Sequence, residues 1–321
     1  MADRRLVAGM TLALAQFLIP ISAHAQEYPS RPVRLVTAEI GGGHDLAARM
    51  LAQGLSAGMG QQFVVDNRAG AIIAGEYVAK AAPDGYTLMV YGGSLWLAQY
   101  MRASVPYDVV RDFAPIGMTI NGPILIAVHP SLPVKSVPEL IKLAKAKPGK
   151  LDYATGQTGA STHLASELFK VMAKVDMLRI PYKGNGPAMN ALLGGQVQLM
   201  FPTAGAAATH MKAGRIRALA VTTAKPSALF PDLPTIAAGG LPGYEVNSMI
   251  GLFAPAKVAP AIINRLSKEQ ATALNKPEIK QRFAASGIET VGSTPQELAA
   301  TVKSEMTQLG KLIKDLGIKE E

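Results

Sequence analysis

The sequence predicts an α/β fold arranged as two lobes, and three observations carry that reading. Short apolar or β-branched runs alternate with segments whose apolar residues recur at helical spacing, the pattern of parallel strands joined by crossovers. Aromatic residues make up only 6% of the chain while glycine occurs 31 times, which favours loops and helices over a β-sandwich. Two crossings, one near 120–124 at Asn121-Gly122-Pro123 and one near 245–250 after a Pro/Gly-rich connection from Pro226 to Gly243, divide the alternation into blocks. With 321 residues, 49% of them hydrophobic, the chain is long enough for real cores.

The first 25 residues stand apart from this pattern. Arg4-Arg5 form a basic start, Leu6 to Ile21 is mostly apolar, and Ala23-His24-Ala25 has the form of a cleavage site, so residues 1–25 read as a secretory signal peptide cut near Ala25. Gln16, Pro20 and the short length argue against a retained membrane span. There is no cysteine, which excludes lipid attachment through an N-terminal thiol and any need for disulfides.

In chain order, Val33 to Thr37 is the first strand, Gly41-Gly42-Gly43 turns the chain, and a helix follows from His44 with Leu46, Met50, Leu51 and Leu55 on one face, ending at Gly58 or Gly60. Phe63 to Val65 and Tyr86 to Tyr91 are strands on either side of a helix over 72–81. Phe113 to Ile120 and Ile124 to Val128 are strands separated by Asn121-Gly122-Pro123, which reads as a hinge. A helix over 137–145 precedes a strand ending near Tyr153 and a helix carrying Leu164, Leu168, Phe169 and Met172. Strand 178–182, helix 187–193, strand 197–201, helix 204–213 and strand 218–221 complete the second block. Apolar Met249 to Phe253 returns the chain to the first block, which the helices 260–274, 277–286 and 295–316 complete. The lobes are therefore expected at 26–122 with 247–321, and at 123–246.

In sheets of this kind ligands sit beyond the carboxyl ends of the strands. The loops expected there are 38–44, 91–97, 155–162, 182–187 and 202–204. The most distinctive is Thr155 to Thr162, where Thr155, Thr158, Ser161 and Thr162 join Gly156 and Gly159 at a helix start. A helix start leaves about four N–H groups without partners and carries partial positive charge, so such a loop suits a carboxylate or phosphate. The competing reading is ordinary N-capping by Ser161 or Thr162. Gly41, Gly42, Gly43, His44 and Asp45 repeat the geometry after the first strand; Asp45 suits the dipole there in any case.

Other chemistries lack their residues. Leu46 breaks a G-x-G-x-x-G pattern, no G-x-x-x-x-G-K-[ST] occurs, and the histidines left after the signal peptide stand alone, so neither cofactor nor metal is expected. Ser94 and Ser161 each follow Gly-x without the second glycine of a nucleophile elbow, and His163 reads as a first-turn or core residue rather than a base. Trp96 reads as core or pocket wall. The formal charge is +9 but the cations are dispersed, which disfavours nucleic acid and is compatible with attracting anions.

The ordered motifs Tyr28-Pro29-Ser30-Arg31-Pro32, Pro83-Asp84-Gly85-Tyr86-Thr87-Leu88, Pro106-Tyr107-Asp108, Asp112-Phe113-Ala114-Pro115, Pro181-Tyr182-Lys183-Gly184, Leu193-Gly194-Gly195-Gln196-Val197, Ala213-Gly214-Arg215 and Leu241-Pro242-Gly243-Tyr244-Glu245 run through the mature chain. Together they resemble the Bug family, the periplasmic substrate-binding proteins of tripartite tricarboxylate transporters. The resemblance implies a type II periplasmic binding protein fold, two lobes joined by two crossover strands and closing on an organic acid. It implies that residues 41–45 and 155–162 grip carboxylates, with Tyr182, Lys183 and Gly184 as a third wall. Ser94 and Thr203, in the remaining cleft loops, complete the candidate set. Three departures stand out: Ala38-Glu39-Ile40 where an aromatic and prolines are usual, Ala69 to Ala74 in place of a longer glycine-rich run with Asn-Ile, and Phe201-Pro202-Thr203 where many members have Phe-Asp. These bear on ligand identity rather than on the fold.

The expected function is a monomeric, non-catalytic periplasmic protein that hands a small carboxylate to membrane permease subunits. The carboxylate classes considered are di- and tricarboxylates, acidic amino acids and aromatic acids. A secreted α/β hydrolytic enzyme and a binding protein repurposed as a sensor partner are the alternatives.

Overall fold

The strands and helices fall in alternating order in the computed structural model, which describes residues 28–319 except 39, 41, 42, 69, 157, 183, 286, 287 and 289. The first stretch comprises β1 (Val33–Thr37), α1 (Gly43–Met59), β2 (Phe63–Asn67), α2 (Ala71–Ala79), β3 (Thr87–Gly92), α3 (Ser94–Met101), α4 (Val109–Asp112) and β4 (Phe113–Pro123). Next come β5 (Leu125–Val128), α5 (Val137–Ala146), β6 (Asp152–Thr155), α6 (Ser161–Ala173), β7 (Leu178–Pro181) and α7 (Asn185–Leu193). After these lie β8 (Leu199–Met200), α8 (Ala204–Lys212) and β9 (Arg217–Val221). The chain ends with β10 (Asn247–Pro255), α9 (Pro260–Asn275), α10 (Pro277–Ala285) and α11 (Pro295–Asp315).

Two five-stranded sheets result, ordered β2-β1-β3-β10-β4 and β7-β6-β8-β5-β9. β1 pairs in parallel with β2 and β3, as β6 does with β7 and β8, so the alternation read from the sequence is that of crossover connections. Val33, Leu35 and Val36 are buried because helices cover both faces of this sheet. On one face α1 contributes Ala47, Leu51 and Leu55 and approaches α9 closely: a Cβ at Gly54 would lie 2.7 Å from the Ala273 Cβ. On the other, α11 packs against β4 and α3.

The crossings differ from the sequence expectation. Asn121-Gly122-Pro123, expected as a hinge separating two strands, is instead the end of β4, because β10 runs antiparallel beside it and pairs Asn247 with Pro123, Ser248 with Gly122 and Met249 with Asn121. One apolar cluster extends across the crossings, from Met89 and Phe253 in the first sheet to Ile124, Ile126, Tyr153 and Phe169 in and around the second. Trp96 is fully buried in this cluster against Phe253. Its helix α3 was expected as a loop; Leu95, Trp96, Leu97 and Ala98 are all buried, and four buried residues in succession hide the helical period. β8 is shorter than the expected 197–201 stretch, and beyond it the Pro202 carbonyl accepts the Leu125 N–H, which ties this segment to the crossing.

Candidate functional site

The loops that follow β1, β3, β6, β7 and β8 all lie at the carboxyl ends of parallel strands. Within the first sheet's loops, the His44 ring stacks on Tyr91 with centroids 4.8 Å apart, and a Cβ at Gly92 would lie 2.8 Å from His44 Nε2. In the second, Gly156 sits so close to the start of α7 that a Cβ there would lie 2.7 Å from Asn185 Oδ1. The two groups meet where a Cβ on Gly159 would collide with Met101 Sδ and Cε, at the end of α3.

The helix starts at these loops are open. The N-cap positions of α3, α6, α7 and α8 are Gly93, Ala160, Gly184 and Thr203, and no side chain caps any of them. Side-chain caps are instead found at α4 (Asp108), α5 (Ser136) and α11 (Thr294). For α6 this displaces the capping reading: Ser161 and Thr162 are already helical, and the cap position is held by an alanine. The first intrahelical bond is Leu164 N–H to the Ala160 carbonyl, so the N–H groups of Ser161, Thr162 and His163 precede the ladder.

Around this helix start the side chains form a partly buried network. Arg179, on β7, donates from Nε to Thr155 Oγ1 (2.8 Å) and from Nη2 to Thr158 Oγ1 (3.0 Å). The Gly159 N–H donates to His163 Nδ1 (3.0 Å), which fixes the proton of the neutral ring on Nε2, 3.7 Å from Glu167. Burial pushes His163 below its ordinary range despite that carboxylate. Burial would raise Glu167, yet hydrogen bonds from His163 and Tyr153 and the Lys170 charge outweigh it and hold Glu167 down at about 2. Thr162 is 3% exposed and its Oγ1 has no hydrogen-bond partner among the described residues. Ser161, next to it, is half-buried.

The remaining candidates divide. Asp45 is 4% exposed and faces its own lobe: it accepts from Arg49 Nε (3.0 Å) and from Asn67 Nδ2 (2.8 Å), which also holds the Ala38 carbonyl. This lock joins the loop after β1 to β2. Gly43 is the exposed first residue of α1, and Ser94 is half-buried at the start of α3. Tyr182 packs on the apolar cluster beneath the second sheet, and its N–H donates to the Thr155 carbonyl. Thr203 bridges to Ile124 beside the crossing. Gly41, Gly42 and Lys183 lie outside the described residues.

Sequence reasoning missed Arg179 and Met101. A guanidinium within the otherwise apolar Leu178-Ile180 strand was the available signal for the first; Met101 had none, because its role depends on which loop the fold sets against it.

Two sheets joined by a pair of crossings, with uncapped helix starts in the loops beyond their parallel strands, define a two-lobed solute-binding protein. The chain belongs to the tripartite tricarboxylate transporter family receptors, whose family model matches residues 47–318. It is similar to Rpa4515 of R. palustris, solved with adipate: 37% identity, TM-score 0.81, covering 91% of this chain and 99% of that one. It is likewise similar to the periplasmic binding protein BugD, at 32% identity and TM-score 0.78, covering 92% of this chain and 100% of that one. MatC from Rhodopseudomonas palustris, solved with bound malate, matches at 28% identity and TM-score 0.78 over 89% of this chain and 100% of that one. These relatives are receptors and binding proteins, not enzymes, and the chain is a periplasmic solute-binding protein of their kind.

Proposed function

We propose that this chain captures a small organic dicarboxylate between its lobes and delivers it to the permease subunits of a tripartite tricarboxylate transporter. The observation that carries this reading is the β6–α6 loop. An uncapped helix start, a guanidinium and an unpartnered buried hydroxyl gather there, and each of them stabilises an anion. The adipate and malate held by the two Rhodopseudomonas relatives support a short diacid as ligand. The lobes are 26–122 with 247–321 and 123–246, residues 1–25 are removed near Ala25, and the mature protein works as a monomer. Gly41, Gly42, Gly43, His44 and Ser94 face the ligand from the first lobe, with Asp45 bracing their loop from within through Arg49 and Asn67; Thr155 to Thr162, Tyr182, Lys183 and Thr203 face it from the second. The lobes close on the ligand about the β4–β5 and β9–β10 crossings.

A thermal-shift screen of the mature protein against mono-, di- and tricarboxylates, acidic amino acids and small aromatic acids tests this. A diacid at 100 times its dissociation constant should add about 2.7 kcal/mol of stability. If no carboxylate raises the melting temperature, the reading is wrong.

A further inference from the structure

We infer that Arg179 is a specificity-determining residue that turns the Thr155 and Thr158 hydroxyls of the β6–α6 loop into donors, a pole that selects an ionised carboxylate. The inference rests on the carboxylate-binding reading above and concerns which chemical group this pole accepts. A threonine hydroxyl can both donate and accept, so by itself it does not distinguish an acid from an amide or an alcohol; a guanidinium can only donate. Here the guanidinium donates to Thr155 Oγ1 at 2.8 Å and to Thr158 Oγ1 at 3.0 Å. Each oxygen thereby accepts from Arg179, and its hydroxyl proton is left to donate to an acceptor other than the guanidinium.

The neighbouring groups point the same way. His163 Nδ1, in the first turn of α6, is already taken by the Gly159 N–H, and Asn185 Oδ1 lies on the α7 side of the loop, against Gly156. The Thr162 hydroxyl is buried without a partner, and the first N–H groups of α6 have no side-chain cap. Arg179 forms no ion pair with a carboxylate among the described residues, although it is partly desolvated and feels Glu167 and Tyr153 at longer range. A fixed positive charge and a set of donors therefore await an anion. An amide could accept some of these bonds but brings no charge, and its own N–H groups would face donors. A planar two-bond fork also explains why arginine rather than lysine suits the position, since only the fork orients two hydroxyls at once.

Calorimetry with adipate, its monoamide and its diamide tests the assignment, with the acid giving the largest melting shift and its amides replacing adipate if adipate gives none. In the wild-type protein the monoamide, whose single carboxylate can take this pole, should bind at least about a hundred-fold more tightly than the diamide, as expected for charge-assisted bonds. Arg179→Gln should shrink that ratio to about ten-fold or less, while Arg179→Lys, which keeps the charge but not the fork, should fall between the two. Thr158→Val, a change in a half-buried loop residue, should weaken the monoamide by about ten-fold, the worth of one hydrogen bond to a charged group. The melting temperatures of the ligand-free variants distinguish a local effect from a loss of fold. An unchanged monoamide-to-diamide ratio in Arg179→Gln, or monoamide binding unaltered in Thr158→Val, overturns the inference and leaves the carboxylate-binding reading intact. A wild-type protein that binds no acid of the panel overturns both.

Discussion

Gly159→Ala probes the point where the two lobes touch. Gly159 has φ +76°, a region alanine enters at a cost of about 1 kcal/mol or slightly more. Its added Cβ would also collide with Met101 Sδ and Cε at the end of α3. The backbone strain belongs to the loop and is present whether the lobes are open or closed, so it should appear as lost stability. The collision involves one residue from each sheet and is relieved when the lobes separate, so it should appear as lost affinity. Pushing the flexible methionine off its rotamer, with a small backbone shift, costs about 1–3 kcal/mol, a rise in Kd of about five- to 150-fold. Calorimetry on Gly159→Ala, Met101→Ala and the double variant separates the two effects. Met101→Ala on the glycine-substituted background should recover most of the affinity while lowering the melting temperature further, because Met101 is buried in the core. If it recovers no affinity, or if Gly159→Ala binds as tightly as wild type, the Met101–Gly159 contact plays no part in closure.

Two further perturbations bear on buried polar groups. Thr162→Val replaces an unpartnered buried hydroxyl by a methyl of similar volume, so it should raise the ligand-free protein's stability by about 1 kcal/mol or more while weakening diacid binding about ten-fold; a lower melting temperature with unchanged binding would refute this. Burial, reinforced by the Glu245 charge and opposed by the Trp96 N–H bond, raises Glu305 to about 7. A group raised in the folded state stabilises fully below its unfolded value near 4.5 and loses that contribution as pH rises to 7, so wild-type stability should fall across this window by up to about 3 kcal/mol. Glu305→Gln keeps an acceptor for Trp96 and should remove this fall, with a melting temperature above wild type at pH 8; parallel pH profiles for the two proteins would contradict the assignment.

The alternation of strands and helices was legible in the chain itself, because a period of 2 or 3.6 and the glycines that end elements are local properties. Val33 to Thr37 and the Pro-led helices α9, α10 and α11 were readable for that reason. So was the unusual character of residues 155–162, since small polar residues between a strand and an apolar helical face are visible one residue at a time. What failed to show was whatever depends on a partner distant in sequence. Asn121 to Pro123 has the composition of a turn and becomes strand only because β10, more than a hundred residues later, supplies its pairing. Four consecutive residues of α3, Leu95 to Ala98, are buried by elements drawn from both ends of the chain, which blurs its helical signature. Asp45 reads alike whether it faces a ligand or its own lobe, and Asn67 and Arg49 turned it inward. Arg179 stands in a strand whose residues alone say nothing of Thr155 and Thr158, more than twenty positions earlier. The parallel pairing of β6 with β7 brings them together. Local periodicity thus determined the elements, and long-range pairing decided which polar groups meet at the cleft.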